Sequence, residues 1–167
     1  MSDQQTKTTK KANDLADRIL IGAVALEDYA EKLSDSDWQR KVAGDGRTIG
    51  VVVHHVASLY PVEIDLAHLL ASCQPITQVT MEVVDQMNAK HAEENSKIDK
   101  NETLELLRHN SRAAADSVRA FTDMELEKAA PVSLNSDAPL TAQFFIEDHA
   151  LRHSFHHLAK IRATLNK

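Results

Sequence analysis

Turn-forming and aromatic residues are scarce in this sequence. It has four glycines, four prolines and 4% aromatic residues in a chain of 167 residues. The chain is instead rich in Ala, Leu, Glu, Lys and Gln, all of which favour helices. Its hydrophobic content of 43% is ordinary for a globular protein, and its length is that of one domain with a real core. The composition therefore predicts an all-α globular protein.

Cysteine, net positive charge and long apolar runs are also lacking. Cys73 is the single cysteine, so no internal disulfide can form. The net charge of −6 disfavours broad binding to nucleic acid, which relies on clustered Lys and Arg. We find no stretch apolar for long enough to span a membrane, and the N-terminal segment MSDQQTKTTKKAND has no apolar signal core. We expect a cytoplasmic protein without nucleic-acid or membrane partners.

Several familiar metal and catalytic motifs are absent. Ferritin-like di-iron bundles need Glu-x-x-His pairs, and no histidine here has a glutamate three residues before it. A hemerythrin-type site would place Glu four residues after a helical His. In this chain the residues four positions after His54 and His55 are Ser58 and Leu59. The His-Glu-x-x-His string, a glycine-rich phosphate loop, a nucleophile elbow and paired cysteines are also missing. These classes of site are excluded.

Apolar periodicity predicts five helices after a frayed polar arm over residues 1–10. Four of them are long and one is shorter, and we see no strand alternation of any length. Such a set predicts a four-helix bundle with one shorter extra helix, in a single domain over residues 11–167. The predicted helices cover residues 13–33, 48–72, 79–95 and 101–129, and a last helix that reaches residue 165.

Capping residues suggest where these helices begin. Thr48 suits the N-cap of the second helix, which Pro61 should kink because proline removes a backbone hydrogen bond. Asn101 or Thr103 can cap the fourth helix. The last helix begins at one of two capping residues, Asp137 or Thr141.

The second helix carries two adjacent histidines on different faces. At about 100° per residue, His55 lies in the middle of an apolar stripe, whereas His54 points to the other side and toward water. A single histidine on such a stripe is more often a hydrogen-bonded core residue than a ligand, so His55 alone is weak evidence. Glu63 lies at the edge of the stripe, where it could orient a ligand or act as a base. A solvated carboxylate is the simpler interpretation of Glu63.

The last helix carries a row of histidines. His149, His153 and His157 are spaced four residues apart and line one narrow strip, whereas His156 lies further round. Two histidines at this spacing can bind a single ion, and His153 belongs to both candidate pairs. With His55 from another helix, the strip offers three neutral nitrogen donors, a set that suits Zn²⁺ or Ni²⁺ and leaves coordination positions open. The alternative is a solvated, histidine-rich surface that binds metal only incidentally.

Two segments resemble motifs of the DinB/YfiT-like metalloenzyme family. In the family a Ser or Thr opens the second helix and a histidine ligand follows seven residues later, as Thr48 and His55 do in TIGVVVHHVA. The segment HSFHHLAKI resembles the closing family motif His-x-x-His-His-x-Gly-Gln-Ile, whose first and last histidines correspond to His153 and His157. This chain departs from the motif because Ala159-Lys160 replaces the Gly-Gln pair.

The resemblance implies a four-helix bundle of the DinB/YfiT-like type with a long crossover, often a homodimer. It implies a divalent metal ion, Zn or Ni, on His55, His153 and His157. His149 is an additional histidine that could be a fourth ligand, a proton shuttle or a bystander, and we favour a pocket-lining role for it.

Characterised members of the family include transferases and isomerases that use low-molecular-weight thiols. We therefore expect a small-molecule substrate and a metal-dependent hydrolase or thiol S-transferase, in which the metal activates water or a thiol. Two alternatives without catalysis remain: a metal-binding bundle and a helical interaction protein.

Overall fold

Four long helices form the body of the protein in the computed structural model, which describes residues 9–166. Of the arm predicted over residues 1–10, residues 1–8 lie outside the described part, and Thr9 caps the first helix. The predicted all-α four-helix bundle is confirmed. The long helices are α1 (Lys10–Glu31), α3 (Ile49–Ala71), α5 (Lys100–Arg119) and a C-terminal helix made of α7 (Ala142–Ile146), a π-helical turn (Glu147–Leu151) and α8 (Arg152–Leu165).

Shorter elements connect the long helices. The shorter extra helix α4 lies in the crossover between α3 and α5, and it does not bury any of its residues. A two-stranded antiparallel hairpin precedes the C-terminal helix. These connecting elements are α2 (Asp35–Trp38), α4 (Met81–Glu94), α6 (Asp123–Glu127), β1 (Ala129–Val132), a 3₁₀ turn (Ser133–Asn135) and β2 (Ala138–Thr141).

The order of the chain differs from the order of the helices in space. Helices α1 and α3 each pack mainly against α5 and against the C-terminal helix. The two long helices that come first in the sequence therefore lie diagonally across the bundle. This arrangement puts the N-terminal half of α3 directly beside α8, where the histidines of both helices lie.

Helix α3 is the most buried long helix of the bundle. Thr48 caps it as predicted, since its side chain accepts a hydrogen bond from the Val51 amide, and the helix continues through Pro61 to Ala71. Contrary to our sequence analysis, α3 is long and apolar enough by composition to cross a membrane. However, 61% of the relevant window is buried inside the protein, as in the core helix of a soluble bundle.

The helix predicted over residues 101–129 is two helices, and its predicted cap is wrong. Asp99 caps α5 instead of Asn101 or Thr103, because its carboxylate accepts from the Glu102 amide. Helix α5 ends at Arg119, and a new helix starts after a capping box between Thr122 and Glu125. That pair satisfies free amide groups at the start of α6, which explains why the chain reopens a helix there.

The prediction that no strand is present is also wrong. Residues 129–132 pair antiparallel with residues 138–141, and Ile76 adds a parallel bridge to Val132. Each strand is only four residues long and contains a proline, so the period-two pattern that marks strands in a sequence is too short to see. Thr141, one of the two candidate caps, both ends β2 and caps α7.

Trp38 fastens the connection between α1 and α3 to the bundle. The indole is 4% exposed and lies against the backbone of α3 at Gly50. A Cβ atom at position 50 would lie 2.5 Å from two indole atoms, well inside van der Waals contact. Gly50 is therefore required by the close approach of Trp38 to the start of the helix that carries His55.

We expect Gly50→Ala to lower the free energy of unfolding by roughly 1–3 kcal/mol, because the buried indole has no free space into which to move. Urea unfolding followed by circular dichroism measures this change. Gly22→Ala is the matched control, since the atoms nearest to its added Cβ belong to the ring of Phe155, which is 40% exposed and can move toward solvent. Equal effects of the two substitutions would contradict this account of Gly50.

Candidate metal centre

Two helices bring together the three histidines predicted as metal ligands. His55 comes from α3, and His153 and His157 come from α8. One nitrogen of each imidazole lies within 4.8 Å of those of the other two. The ring centroid of His55 is 5.0 Å from that of His153 and 5.5 Å from that of His157. The predicted residues therefore form one compact group at the junction of α3 and α8.

A buried hydrogen bond sets the relative position of these two helices. The hydroxyl groups of Tyr60 and Ser154 are 2.6 Å apart, and both side chains are completely buried. Burial raises the pKa of Tyr60, so its phenol stays protonated. Ser154 directly follows His153, and Tyr60 lies little more than one turn beyond His55. The bond therefore holds the two histidine-bearing segments level with each other.

His149 does not continue the strip of ligands as its spacing suggests. His149 lies within a π-helical turn over Glu147–Leu151, and the extra residue in such a turn changes the direction of its side chains relative to those of α8. The His149 ring stacks on Phe145 at 4.2 Å and lines the cavity beside the three-histidine group. The pocket role that we favour for His149 stays a prediction.

Burial keeps two of the three imidazoles neutral. It lowers the pKa of His55 to about 2, and the electrostatic effect of the neighbouring His153 ring adds to this shift. Burial likewise lowers the pKa of His157 to about 3, again helped by His153. Two of the three side chains are thus unprotonated at neutral pH. That is the form in which histidine binds a metal ion.

Glu63 is part of this site, and the prediction of a solvated carboxylate is wrong. Its side chain is buried, and Oε1 lies 2.8 Å from Nδ1 of His153, although without the alignment of a hydrogen bond. A helical wheel of α3 alone cannot show that the C-terminal helix covers this edge. The carboxylate and the histidine therefore form a close pair next to the three-histidine group.

Several buried polar atoms around the group have no hydrogen-bond partner within residues 9–166. Buried polar groups in proteins are normally paired, so a cluster of unpaired ones is unusual. Imidazole nitrogens and a carboxylate oxygen are the atoms that a divalent cation and its remaining ligands can satisfy. The residues present therefore fit a bound metal ion. The atoms without a hydrogen bond include Nδ1 of His157, Nε2 of His149 and Oε2 of Glu63.

The group opens into a cavity of about 560 Å³. Helix α3 and the C-terminal helix form one side of it, and α4 with the segment before it forms the other. The wall opposite the histidines is apolar, and charged side chains from three parts of the chain complete the lining. This volume suits a small organic molecule. The apolar lining includes Leu59, Val62, Leu66, Ile76, Val79, Met81, Val84, Met87 and Phe145.

Two further histidines lie where the sequence did not place them. His54 was expected to face water, yet its Nδ1 is 2.8 Å from Nε2 of His91 on α4. Burial lowers the pKa of both imidazoles. The His91 ring also meets the edge of His55 at a centroid distance of 5.6 Å. Packing of α4 across α3 explains the difference, because a lone helix pattern cannot show what covers its polar face.

A charged pair that no sequence pattern indicates also lines the cavity. Asp45 and Arg47 form a two-point ion pair in the turn between α2 and α3, with distances of 2.6 and 2.8 Å. No periodicity marks these residues, since they lie in an irregular connection. The feature of the sequence that does mark this turn is the segment GDGR immediately before the Thr48 cap. Both of its glycines have positive φ angles.

Comparison with known proteins supports the fold. The chain is similar to the solved structure of YfiT from Bacillus subtilis, described as a probable metal-dependent hydrolase with an unusual four-helix bundle topology. The match has a TM-score of 0.75, covers 99% of this chain and 89% of that one, and has 18% sequence identity. No protein-family model and no curated protein matches the chain. The predicted DinB/YfiT-like fold is therefore confirmed.

We expect the metal-free protein to lose stability as the pH falls from about 6.5 toward about 3. In the unfolded chain His55 and His157 take up protons near pH 6.5, whereas in the folded protein their pKa values are about 2 and 3. The unfolded state thus binds more protons in this window, so the free energy of unfolding decreases as the pH falls.

Urea unfolding in the presence of a chelator, between about pH 7 and about pH 5, measures this loss. His157→Asn should reduce the slope by roughly 1 kcal/mol per pH unit, because one proton uptake is removed. His109→Asn, at an exposed position of α5, is the control and should keep the slope of the unmodified protein. An unchanged slope in His157→Asn would contradict the burial argument.

Proposed function

We propose that this protein is a metal-dependent hydrolase whose metal ion is held by His55, His153 and His157. The observation that carries the proposal is a group of three imidazole nitrogens within 4.8 Å that opens into a cavity of about 560 Å³. The description of YfiT as a probable metal-dependent hydrolase on the same fold supports it. A structural metal site would be closed by a fourth side chain, whereas three protein ligands beside a cavity are typical of catalytic sites.

The donor set suggests zinc or nickel as the metal. Three neutral imidazoles suit both ions, and no soft thiolate ligand is required. Once bound, such an ion acts as a Lewis acid that polarises a carbonyl and lowers the pKa of water or a thiol. The low pKa values of His55 and His157 support binding at neutral pH, because no proton has to be displaced from either ring.

Glu63 is our candidate for the proton acceptor. Its carboxylate is buried at the cavity wall, and Oε2 has no hydrogen-bond partner among the described residues. The other oxygen lies 2.8 Å from His153, so the same side chain also orients one of the proposed ligands. A carboxylate in this position can accept the proton released when water attacks a carbonyl carbon.

Transfer to a low-molecular-weight thiol is our second candidate function. The cavity is large enough to hold a thiol beside a second small molecule, and its mouth carries both positive and negative side chains. The chemistry differs from hydrolysis only in the nucleophile, which would be a thiolate instead of water. The thiol partner, the homodimer and the cytoplasmic location stay predictions.

We expect about one zinc or nickel ion per chain after the purified protein is incubated with either metal and dialysed. His153→Ala and His157→Ala should each reduce the metal content to near zero, because two nitrogen ligands do not hold the ion against dialysis. Elemental analysis by mass spectrometry measures the content, and circular dichroism checks that the helices persist.

His156→Ala is the matched control, since His156 lies next to His157 on α8 but outside the three-histidine group. It should retain the metal. A protein that takes up neither ion, or one that keeps its metal in both ligand variants, would overturn the proposed site and leave the non-catalytic alternatives.

We expect Glu63→Gln to lower kcat at least about 100-fold while the metal content stays the same, because glutamine keeps the shape but cannot accept a proton. Hydrolysis of a panel of 4-nitrophenyl esters by the zinc- and nickel-loaded protein measures this. Repeating the panel with added N-acetylcysteine as the thiol tests the second candidate, which predicts a protein-dependent thioester product only in that arm.

Glu105→Gln, at an exposed position of α5, controls for the loss of one negative charge and should keep full activity. A Glu63→Gln protein as active as the unmodified one would exclude Glu63 as the base. Loss of metal affinity in the same variant would show instead that Glu63 acts by orienting His153.

A further inference from the structure

Arg47 is held in a fixed position at the edge of the cavity. It ends a tight turn over residues 42–47, in which the Val42 amide donates to the Arg47 carbonyl at 2.9 Å. Gly44 and Gly46 have φ angles of +74° and +84°, which side chains with a Cβ rarely adopt. The Ala43 amide donates to Thr164 at 3.0 Å, and this bond ties the turn to α8. The backbone therefore presents Arg47 toward the helix that carries His153 and His157.

The guanidinium group is only partly used by the protein. Asp45 accepts from Nε and Nη2 at 2.6 and 2.8 Å, and the side chain of Arg47 is 15% exposed. The third nitrogen, Nη1, is buried and has no partner among residues 9–166. A buried donor without an acceptor is unfavourable, and more so when it is charged. The Asp45 pair thus fixes the group while leaving one nitrogen free for an oxygen atom.

Arg47 lines the same cavity as the three histidines. The turn that carries it is bonded to α8 through Thr164, two turns beyond His157. A ligand in this cavity can therefore contact both the histidines and the Arg47 side chain.

The rest of the cavity suits an apolar group. Three of its lining residues are large hydrophobic side chains left exposed by the fold: Met81 at 61%, Met87 at 50% and Val62 at 41%. Further aliphatic side chains from α3, α4 and the hairpin line the same cavity. Exposed apolar residues that line a concave site mark a ligand surface.

The charged lining is balanced before any metal is bound. It contains three acidic and three basic side chains, so a divalent ion on neutral histidines makes the cavity positive. Such a field favours a ligand with an anionic or electron-rich oxygen. The six residues are Asp45, Glu63, Asp148, Arg47, Arg152 and Lys160.

We infer that the substrates are acyl compounds with an apolar acyl chain, and that Nη1 of Arg47 donates a hydrogen bond to the acyl oxygen. The inference rests on the proposed hydrolase function and specifies its substrate class. Hydrolysis breaks the bond between the acyl carbon and its leaving group, forms a bond from that carbon to the oxygen of water, and transfers a proton to the leaving group. A single free nitrogen matches one carbonyl oxygen better than a two-point carboxylate contact.

The test measures binding of octanoate, the product-like probe, by isothermal titration calorimetry with zinc-loaded and chelator-treated protein. Arg47→Ala should weaken octanoate binding at least about tenfold in both forms, because a hydrogen bond to a charged donor is lost. Affinity for butyrate, hexanoate and octanoate should rise about fourfold per added methylene, as apolar burial predicts.

Two variants separate the anchoring contact from general attraction and from misfolding. Arg152→Ala removes a positive charge from the same cavity and should change the affinity for octanoate less than about threefold. Arg47→Lys keeps the charge but cannot hold Asp45 at two points and also present a free nitrogen, so its binding should be weakened as well. Arg47→Lys serves as the readout if circular dichroism shows that Arg47→Ala is misfolded.

Unchanged octanoate binding in the Arg47 variants, or an equal loss in Arg152→Ala, would overturn the anchoring role. Absence of a chain-length effect would overturn the substrate class. Elemental analysis of the same samples tests the proposed function separately. A protein without metal that still binds octanoate through Arg47 would contradict the hydrolase and leave the acyl site in place.

Discussion

The contact between α3 and the C-terminal helix is the interaction on which the rest of this structure depends. The buried Tyr60–Ser154 hydrogen bond fixes how the two helices are aligned, since one polar pair within an apolar interface has only one position in which both partners are satisfied. Displacement of one helix along the other would leave two buried hydroxyls unpaired. The same alignment brings His55 level with His153 and His157, so the packing of the core and the geometry of the site have a common origin.

The three proposed ligands could be predicted from the sequence because they lie on regular helices. Most of the residues around them could not, because they lie in irregular backbone or depend on packing by another element. His55 and the pair on α8 lie within unbroken helical segments, where spacing in the sequence translates directly into a shared face. His149 lies one turn before that pair, within the π-helical turn. There a spacing of four residues no longer places side chains on one face of the helix. Arg47 lies in a turn without a repeat, and Glu63 was misjudged because burial of its side chain depends on a second helix. Periodicity thus predicts what one helix presents, but not what another element brings to meet it.

Helix α4 contributes to the site in a different way from the bundle helices. None of its residues is buried, although it forms one wall of the cavity and reaches the site through His91. A helix held by so few buried contacts opens at a lower free energy than the bundle core does. The bundle can therefore keep the histidines in place while access to the cavity changes at α4. The absence of buried residues in α4 explains why its Met81 and Met87 remain exposed in an otherwise well-packed protein.

Burial of so many polar groups in one place is unfavourable unless a ligand completes their hydrogen bonds and coordination. Neutral imidazoles, a carboxylate and a guanidinium nitrogen are buried together, and several of their polar atoms have no partner in the described chain. Aliphatic side chains of similar size at these positions would avoid the desolvation of every one of these groups. Packing in the neighbouring core offers no compensation for them, because Tyr60 and Ser154 already satisfy each other. A cation on the histidines and an oxygen atom near Arg47 would supply the missing partners, so the site is understandable as one that is completed by its ligands.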